Sequence, residues 1–597
     1  MGFTTIGSII EKSRLEKKGI SRKKLSDGLC SEQRLYEIER DSCESDTLLV
    51  DILLQRLGKS PDKLERVLQA DMYRMIRLRD LLEEAILRGR KELAERILET
   101  YPLLTKVDRM YKCRMRACLV YRIDHDFTGA IEQLQKAIDI TLPAFTYEKI
   151  EDYLISTVEM ENLLALERMK IEGNQTQIKA EEKRNLGILM CYIDKHFTDE
   201  EEHAKIYSKC AWLLARVCFA EGDYIQTLSL CEKGIEELRR NTMLYFMFPL
   251  LKLMTETEKE IGIAPEKSKW VQYYDVLTFL WERYAKKWYP TDLLFHNCYQ
   301  KEYHLDYELI RSEREARRMT QEEMADGIYQ NVESYSRFET GKASPNKKTF
   351  EKLIKKLGIE KGRYNGYAVT DSFETMEIRR NLDRMLSHGE YQKAEEIVVN
   401  LKDNLDMTIQ ENRKIIQIFE LMIAKRFERI TIEDALEQEK VLIKDVVDFE
   451  RKQLLRIPMK NEIVCLNQVC VDLEKVKQGE QAEEIYIAVL ALMRKSRIHI
   501  KYRYRSYALF LQNFARRGLD AKDIHAEFCN ELICGKAAVL PLCLINQVKL
   551  MEKEGSPQEQ CLKLVKKVYY LSDMYFYKDI KSLYGKYLIE QNVDIIF

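Results

Sequence analysis

A chain of 597 residues with 97 basic and 98 acidic side chains has a net charge of −1; it is too long for one core, so several domains or a repeat array are expected. The even balance excludes a chain-wide basic field for nucleic acid, so any such contact has to be local. Ten prolines and 23 glycines, with 45% hydrophobic and 33% charged residues, favour helices over β-sandwiches or long loops.

The opening stretch, MGFTTIGSIIEKSRLEKK, has no apolar core of signal-peptide length. Ile6 stands where a myristoylation signal at Gly2 prefers Ser or Thr. No run approaches the roughly 18 apolar residues of a membrane span. The expectation is a cytoplasmic protein with no membrane partner.

From Ile9 the chain reads as a basic helix, a Ser21 cap, an Asp27-Gly28 turn and an aromatic-rich helix closing on Glu39. A further helix runs to Leu57-Gly58. The LGKS stretch at Leu57–Ser60 lacks the upstream glycine and strand of a phosphate loop, and reads as an ordinary loop.

Pairs of amphipathic helices follow. In AWLLARVCFAEGDYIQTLSLCEKGIEEL (211–238) apolar residues fall at i, i+3, i+4 and i+7 on two helices joined by a G-D-Y turn. Similar units start at Ala117, Met385 and Val469. Gly222, Gly389 and Gly479 fall where the chain turns between helices, and Ala130, Ala394 and Ala482 where helices pack closely. This spacing resembles tetratricopeptide repeats of about 34 residues, roughly four to six in each half. Asp124-His125-Asp126 lies in one such turn and reads as solvated.

The stretch MTQEEMADGIYQNVESYSRFETGKASP (319–345) restarts the pattern of the N-terminus. Thr320 and Glu323 have the spacing of a capping box. The helix from about Asn331 places Val332, Tyr335 and Phe338 on a buried stripe, leaving Glu333, Ser336 and Arg337 outside. Laid side by side, the segments from Ile9 and Leu309 share a skeleton, as do those from Ile76 and Ile378, and from Trp270 and Lys566. The chain therefore reads as an internal duplication of about 300 residues. The fold class expected is all-α: a helix-turn-helix domain at 1–68, a repeat array at 69–300, a second helix-turn-helix domain at 303–365, and a second array at 370–597.

No HExxH, GxSxG or GxGxxG motif occurs, and the 15 cysteines form no CxxC pair; no enzyme, cofactor or metal site is expected, and the thiols read as buried apolar groups.

The T-Q-E-E-M-A … S-x-F-E-T-G-x-x-x-P signature from Thr320 to Pro345 resembles the lambda-repressor-like (Xre) helix-turn-helix family. The N-terminal unit departs from it, with Arg22 for the usual Gln, Asp41 for the Gly and no following Pro. It is similar to the helix-turn-helix that opens Rgg and PlcR-type regulators. The resemblance implies that Arg22 and Gln321 contact phosphate, and that Glu32, Gln33 and Tyr36 in one unit, and Val332, Glu333 and Ser336 in the other, face bases. Arg34 and Arg337 would add backbone contacts. Glu39 and Glu339 would be structural, paired with Arg14 and Arg314.

Such a domain followed by a repeat array resembles the peptide-pheromone regulators of Gram-positive bacteria (the Rap/Rgg/NprR/PlcR/PrgX group). This implies a quorum-sensing transcription regulator with two partners, a double-stranded DNA operator and a short signalling peptide held in an array groove. Asn467, Asn513 and Asn546, on successive helices of the second array, are candidates to grip a peptide backbone; the loosely aligned first-array positions are Thr157, Ala215 and Phe248. Related regulators dimerise, whereas two units on one chain imply an intramolecular pseudo-dimer or a homodimer of such chains. Residues 1–68 carry 13 basic against 12 acidic side chains, and 303–363 carry 13 against 11, so charge does not decide whether both units bind. Two alternatives stay open: an interaction protein that sequesters a regulatory protein and keeps relic helix-turn-helix units, and a mobile-element repressor without a peptide ligand.

Overall fold

The computed structural model describes residues 6–43, 46–173, 180–286, 301–359, 368–503, 505–514 and 521–595. Gly2, Cys298 and parts of the expected boundaries near 300, 365 and 597 lie outside them. Helices dominate throughout, as composition predicts, and no described helix is long and apolar enough to cross a membrane.

The chain opens with four helices, Ile6–Glu16, Arg22–Ser26, Glu32–Glu39 and Thr47–Arg56. Four helices of the same 11, 5, 8 and 10 residues recur at Asp306–Ala316, Gln321–Ala325, Val332–Glu339 and Lys347–Lys356. The last three helices of each set have polar N-caps: Ser21, Ser31 and Asp46 in the first set, Thr320, Asn331 and Asn346 in the second. Caps weigh heavily in helices this short, since most of their N–H groups have no intrahelical acceptor.

Antiparallel helices follow each set, from Ala70–Leu87 to Lys269–Tyr284 and from Phe373–Ser387 to Lys578–Glu590. Ala130, Ala394 and Ala482 are fully buried where adjacent helices meet. Gly222 and Gly389 turn the chain with φ of 77° and 74°. Gly479 does not: it starts the helix Gly479–Lys495, and Lys477 takes the left-handed conformation at φ 63°. Most cysteines are buried, and burial pushes the Cys30 and Cys534 thiols up to about 11.

Two features lie outside the repeat logic. Glu65–Leu68, after the first four-helix set, pairs in parallel with Glu302–Leu305, just before the second, in register Glu65 to Glu302. Around this pair Arg66 bonds Asp51, His304 Nε2 lies 2.6 Å from Glu65 Oε1, and Lys460 reaches Glu302. Burial pushes the Glu65 carboxyl above its usual range.

The far ends of the two arrays also meet. Met243 and Lys536 form an antiparallel bridge, each the same short distance ahead of a 14-residue helix, Met247–Glu260 and Leu540–Lys553. Leu244 N donates to Gly535 O at 2.9 Å, and Tyr575 Oη to Met243 O at 2.9 Å. Arg239 Nε donates to Met574 O at 2.8 Å, and the Tyr284 and Phe528 rings stack at 4.0 Å. Residues of both arrays share one apolar core here. Phe528→Ala should therefore remove about 3–5 kcal/mol of stability, the scale of a buried aromatic truncation. In chemical denaturation both halves should lose stability in one transition; an unchanged midpoint would show that the arrays do not depend on this seam.

Candidate nucleic-acid interface

Each eight-residue helix, Glu32–Glu39 and Val332–Glu339, ends on a carboxylate that is 2% exposed. A buried carboxylate needs a counter-charge and hydrogen-bond donors. Arg14, from the first helix of its unit, supplies Nε to Glu39 Oε1 at 2.6 Å and Nη2 to Oε2 at 3.1 Å. Arg314 meets Glu339 through the same atoms at the same 2.6 and 3.1 Å. These forked, charge-assisted bonds fix the third helix of each set on the first.

The second helix joins the same carboxylate. Gln321 Nε2 donates to Glu339 Oε2 at 2.7 Å, and Arg22 Nε to Glu39 Oε2 at 2.6 Å. Both residues expected at phosphate thus buttress the unit in this structure, each remaining half-exposed. The bond to Glu39 raises the Arg22 pKa further. In the second unit Tyr335 Oη also donates to Glu339 Oε1, at 2.5 Å. Burial and the adjoining carboxylate push that phenol far above its ordinary value. Thr320 and Glu323 form the capping box, with Glu323 N to Thr320 Oγ1 at 3.1 Å and Thr320 N to Glu323 Oε2 at 2.7 Å.

The outward faces differ. Glu32, Gln33 and Tyr36 are exposed in the first unit, with Gln33 Nε2 donating to Glu37 Oε1 at 3.3 Å and Arg34 paired to Glu37 at 3.6 Å. Tyr36 lies under two guanidinium groups, Arg22 at 5.1 Å and Arg40 at 5.8 Å. Glu11 pairs with both arginines at 3.3 Å; Arg311 holds the matching position of the second unit. There Glu333 and Arg337 are exposed and Ser336 is half-buried. Val332 is half-buried against the unit's core, so the place given it on the buried stripe describes it better than a base-facing role does.

The turns differ too. Gly28 packs so closely on the first array that a Cβ would lie 2.1 Å from Thr141 O, whereas Gly327 has open space. Arg56 locks the first turn, reaching Asp27 O at 2.6 Å, Thr141 O at 2.9 Å and Glu159. Among the described residues, Lys356 makes the matching bond alone, to Asp326 O at 2.6 Å. Asp41 takes φ 52° where the second unit has Gly341 at φ 69°.

The asparagines of the second array come together. Asn513 Nδ2 donates to Asn467 Oδ1 at 2.9 Å, and Asn546 Nδ2 donates to Gln512 O at 2.8 Å and to Gln512 Oε1 at 3.0 Å. Asn467 and Asn546 are buried and Asn513 is half-buried. Thr157, Ala215 and Phe248 are buried as well. In the Asp124–Asp126 turn, His125 is exposed, Asp124 pairs with Lys91, and Asp126 caps the next helix.

Glu339→Ala should strip three donors of their acceptor and destabilise the second unit by about 3–5 kcal/mol, as for a broken buried ion pair. Hydrogen exchange across Val332–Glu339 reports it; unchanged protection would rule out the buttress.

No curated protein matches the chain. Among solved structures, PlcR from Bacillus thuringiensis, in complex with the peptide PapR7 and DNA, is 15% identical. That likeness covers 47% of this chain and 98% of PlcR, with a TM-score of 0.30. A circular tandem repeat protein with a novel repeat topology is 13% identical, covering 98% of this chain and 97% of its own at a TM-score of 0.13. Residues 310–362 match the helix-turn-helix family, and this second unit, with its Arg314–Glu339 buttress and exposed third helix, is a helix-turn-helix domain.

Proposed function

We propose that this chain is a DNA-binding transcription regulator in which two helix-turn-helix units on one polypeptide act as an intramolecular pseudo-dimer. The observation that carries the reading is the second unit: a matched helix-turn-helix whose third helix presents Glu333 and Arg337 to solvent. The first unit, although no longer close to the same signature, keeps the equal helix lengths and the Arg14–Glu39 fork. On this reading the halves arose by duplication, with domains at 1–68, 69–300, 303–365 and 370–597.

Two contacts support a pseudo-dimer. Met243 and Lys536 meet from corresponding places in the two arrays. Lys347 Nζ of the second unit donates to Asp41 O, just past the third helix of the first, at 3.0 Å. A symmetric regulator reads a palindrome. Here Glu32, Gln33 and Tyr36 stand against Glu333 and Ser336, with Arg34 and Arg337 beside them, so the operator has two different half-sites. Footprinting of the intact chain tests this; identical half-sites would contradict it. Arg337→Ala should lower affinity at one half-site only. Loss of binding should be steep as salt rises, whereas a chain with no preference over random DNA would favour the sequestering alternative.

The second array is the proposed sensor, taking a short signalling peptide along Asn467, Asn513 and Asn546. An amide offers both donor and acceptor to a peptide backbone, and these three lie on alternate helices of one array, Lys460–Lys475, Arg505–Phe514 and Leu540–Lys553. In this arrangement the peptide displaces the Asn513–Asn467 bond. Titration calorimetry with the peptide fraction of spent culture medium should show heat for the wild type, and weaker binding for Asn513→Ala and Asn546→Ala. Equal affinity in all three would remove these residues from the site.

A further inference from the structure

Two arginines outside the helix-turn-helix units converge on the end of the second unit's third helix. Arg497, from the loop after Gly479–Lys495, donates Nη1 to Thr340 O at 3.1 Å. Arg74, on the first helix of the first array, donates Nη1 to Gly341 O at 3.4 Å. One comes from each array, and both are exposed. Their acceptors are backbone carbonyls, and no salt bridge to either is found among the described residues.

Arg497 is held in place. Arg497 N donates to Glu308 Oε1 at 2.8 Å, and Tyr73 Oη donates to Arg497 O at 3.3 Å. The Arg497 guanidinium stands 6.0 Å from the Tyr307 ring centre. Of the nearby carboxylates, Glu308 is buried, with Oε2 accepting from Ser496 Oγ, and Asp71 accepts from Ser344 Oγ at 2.8 Å. Arg337 and Lys342, also exposed, flank the same turn.

A helix of eight residues spans about 12 Å, close to the width of the major groove. With its first turn at the base edges, its last turn reaches the groove wall, where the phosphates are. We propose that Arg74 and Arg497 are phosphate-binding residues supplied by the two arrays to the DNA site of the second unit. The arrays then touch the DNA backbone directly, beyond the helix-turn-helix domain, and add affinity without sequence preference. Any movement of either array shifts a phosphate contact, which links the sensing part to DNA affinity at one half-site.

The inference rests on the DNA-binding reading, and its test separates the two. The probe is a duplex enriched from a randomised pool by the full chain, and the readout is the slope of log affinity against log salt. Each phosphate contact contributes about 0.9 to that slope. Arg74→Gln and Arg497→Gln should each flatten it by about that amount, additively, and leave the enriched sequence unchanged, whereas Arg74→Lys and Arg497→Lys should keep it. Unchanged slopes in Gln variants that still bind the duplex would overturn the proposal and leave two helix-capping arginines, visible as lost hydrogen-exchange protection over residues 332–344. If the wild-type chain enriches and binds no duplex, the DNA-binding reading itself falls and takes this proposal with it.

Discussion

A carboxylate buried at the end of the third helix of each four-helix set is the constraint on which the outward face of that set depends. Three short helices of 11, 5 and 8 residues bury too little apolar area to fix their own angles. Glu339 does so by gathering Arg314 from the first helix, Gln321 from the second and Tyr335 from the third. Donors from all three helices share the one buried charge, so the bonds reinforce one another. Glu39 repeats the device with Arg14 and Arg22, and Leu35 stands in place of the tyrosine.

The two units have the same frame but different surroundings. The first is fastened to its array by Arg56, Thr141 and Glu159, with Gly28 pressed against the Thr141 carbonyl. The second is held mainly from outside, by Gln69 and Asp71 at the start of one array and by Ser496 and Arg497 of the other. Glu11 draws Arg22 and Arg40 together over Tyr36, where the second unit has Arg311. These differences fasten the first unit more closely to its array and leave the turn of the second at Gly327 in open space.

Between the units, the strand pair Glu65–Leu68 and Glu302–Leu305 ties the start of one array to the start of the second half. At the other end the arrays share an apolar seam around Met243, Lys536, Tyr284 and Phe528. The halves are thus joined at both ends. The seam packs side chains of both arrays into one apolar core, so neither array can be repacked there independently of the other.

Local chemistry was legible in the amino-acid sequence. The periodicity of the helices, the Thr320–Glu323 box, the Asn331 start and the close-packed alanines follow from spacing along one or two neighbouring helices, whereas the Arg–Glu pairing of each unit was implied by the family resemblance. Gly479 misled because the left-handed turn had moved two residues upstream, to Lys477. Tertiary packing alone decided the rest. The strands are four residues long and find each other across an entire array, so no local pattern marks them. Arg22 and Gln321 turn inward because a buried carboxylate attracts a nearby donor more strongly than water does. Asn513 meets Asn467, and Asn546 meets Gln512, because their helices adjoin. The sequence by itself determined the helices, their caps and the recurrence of one unit; only the tertiary structure decided which polar side chains remain free for a ligand, because that depends on partners far away along the chain.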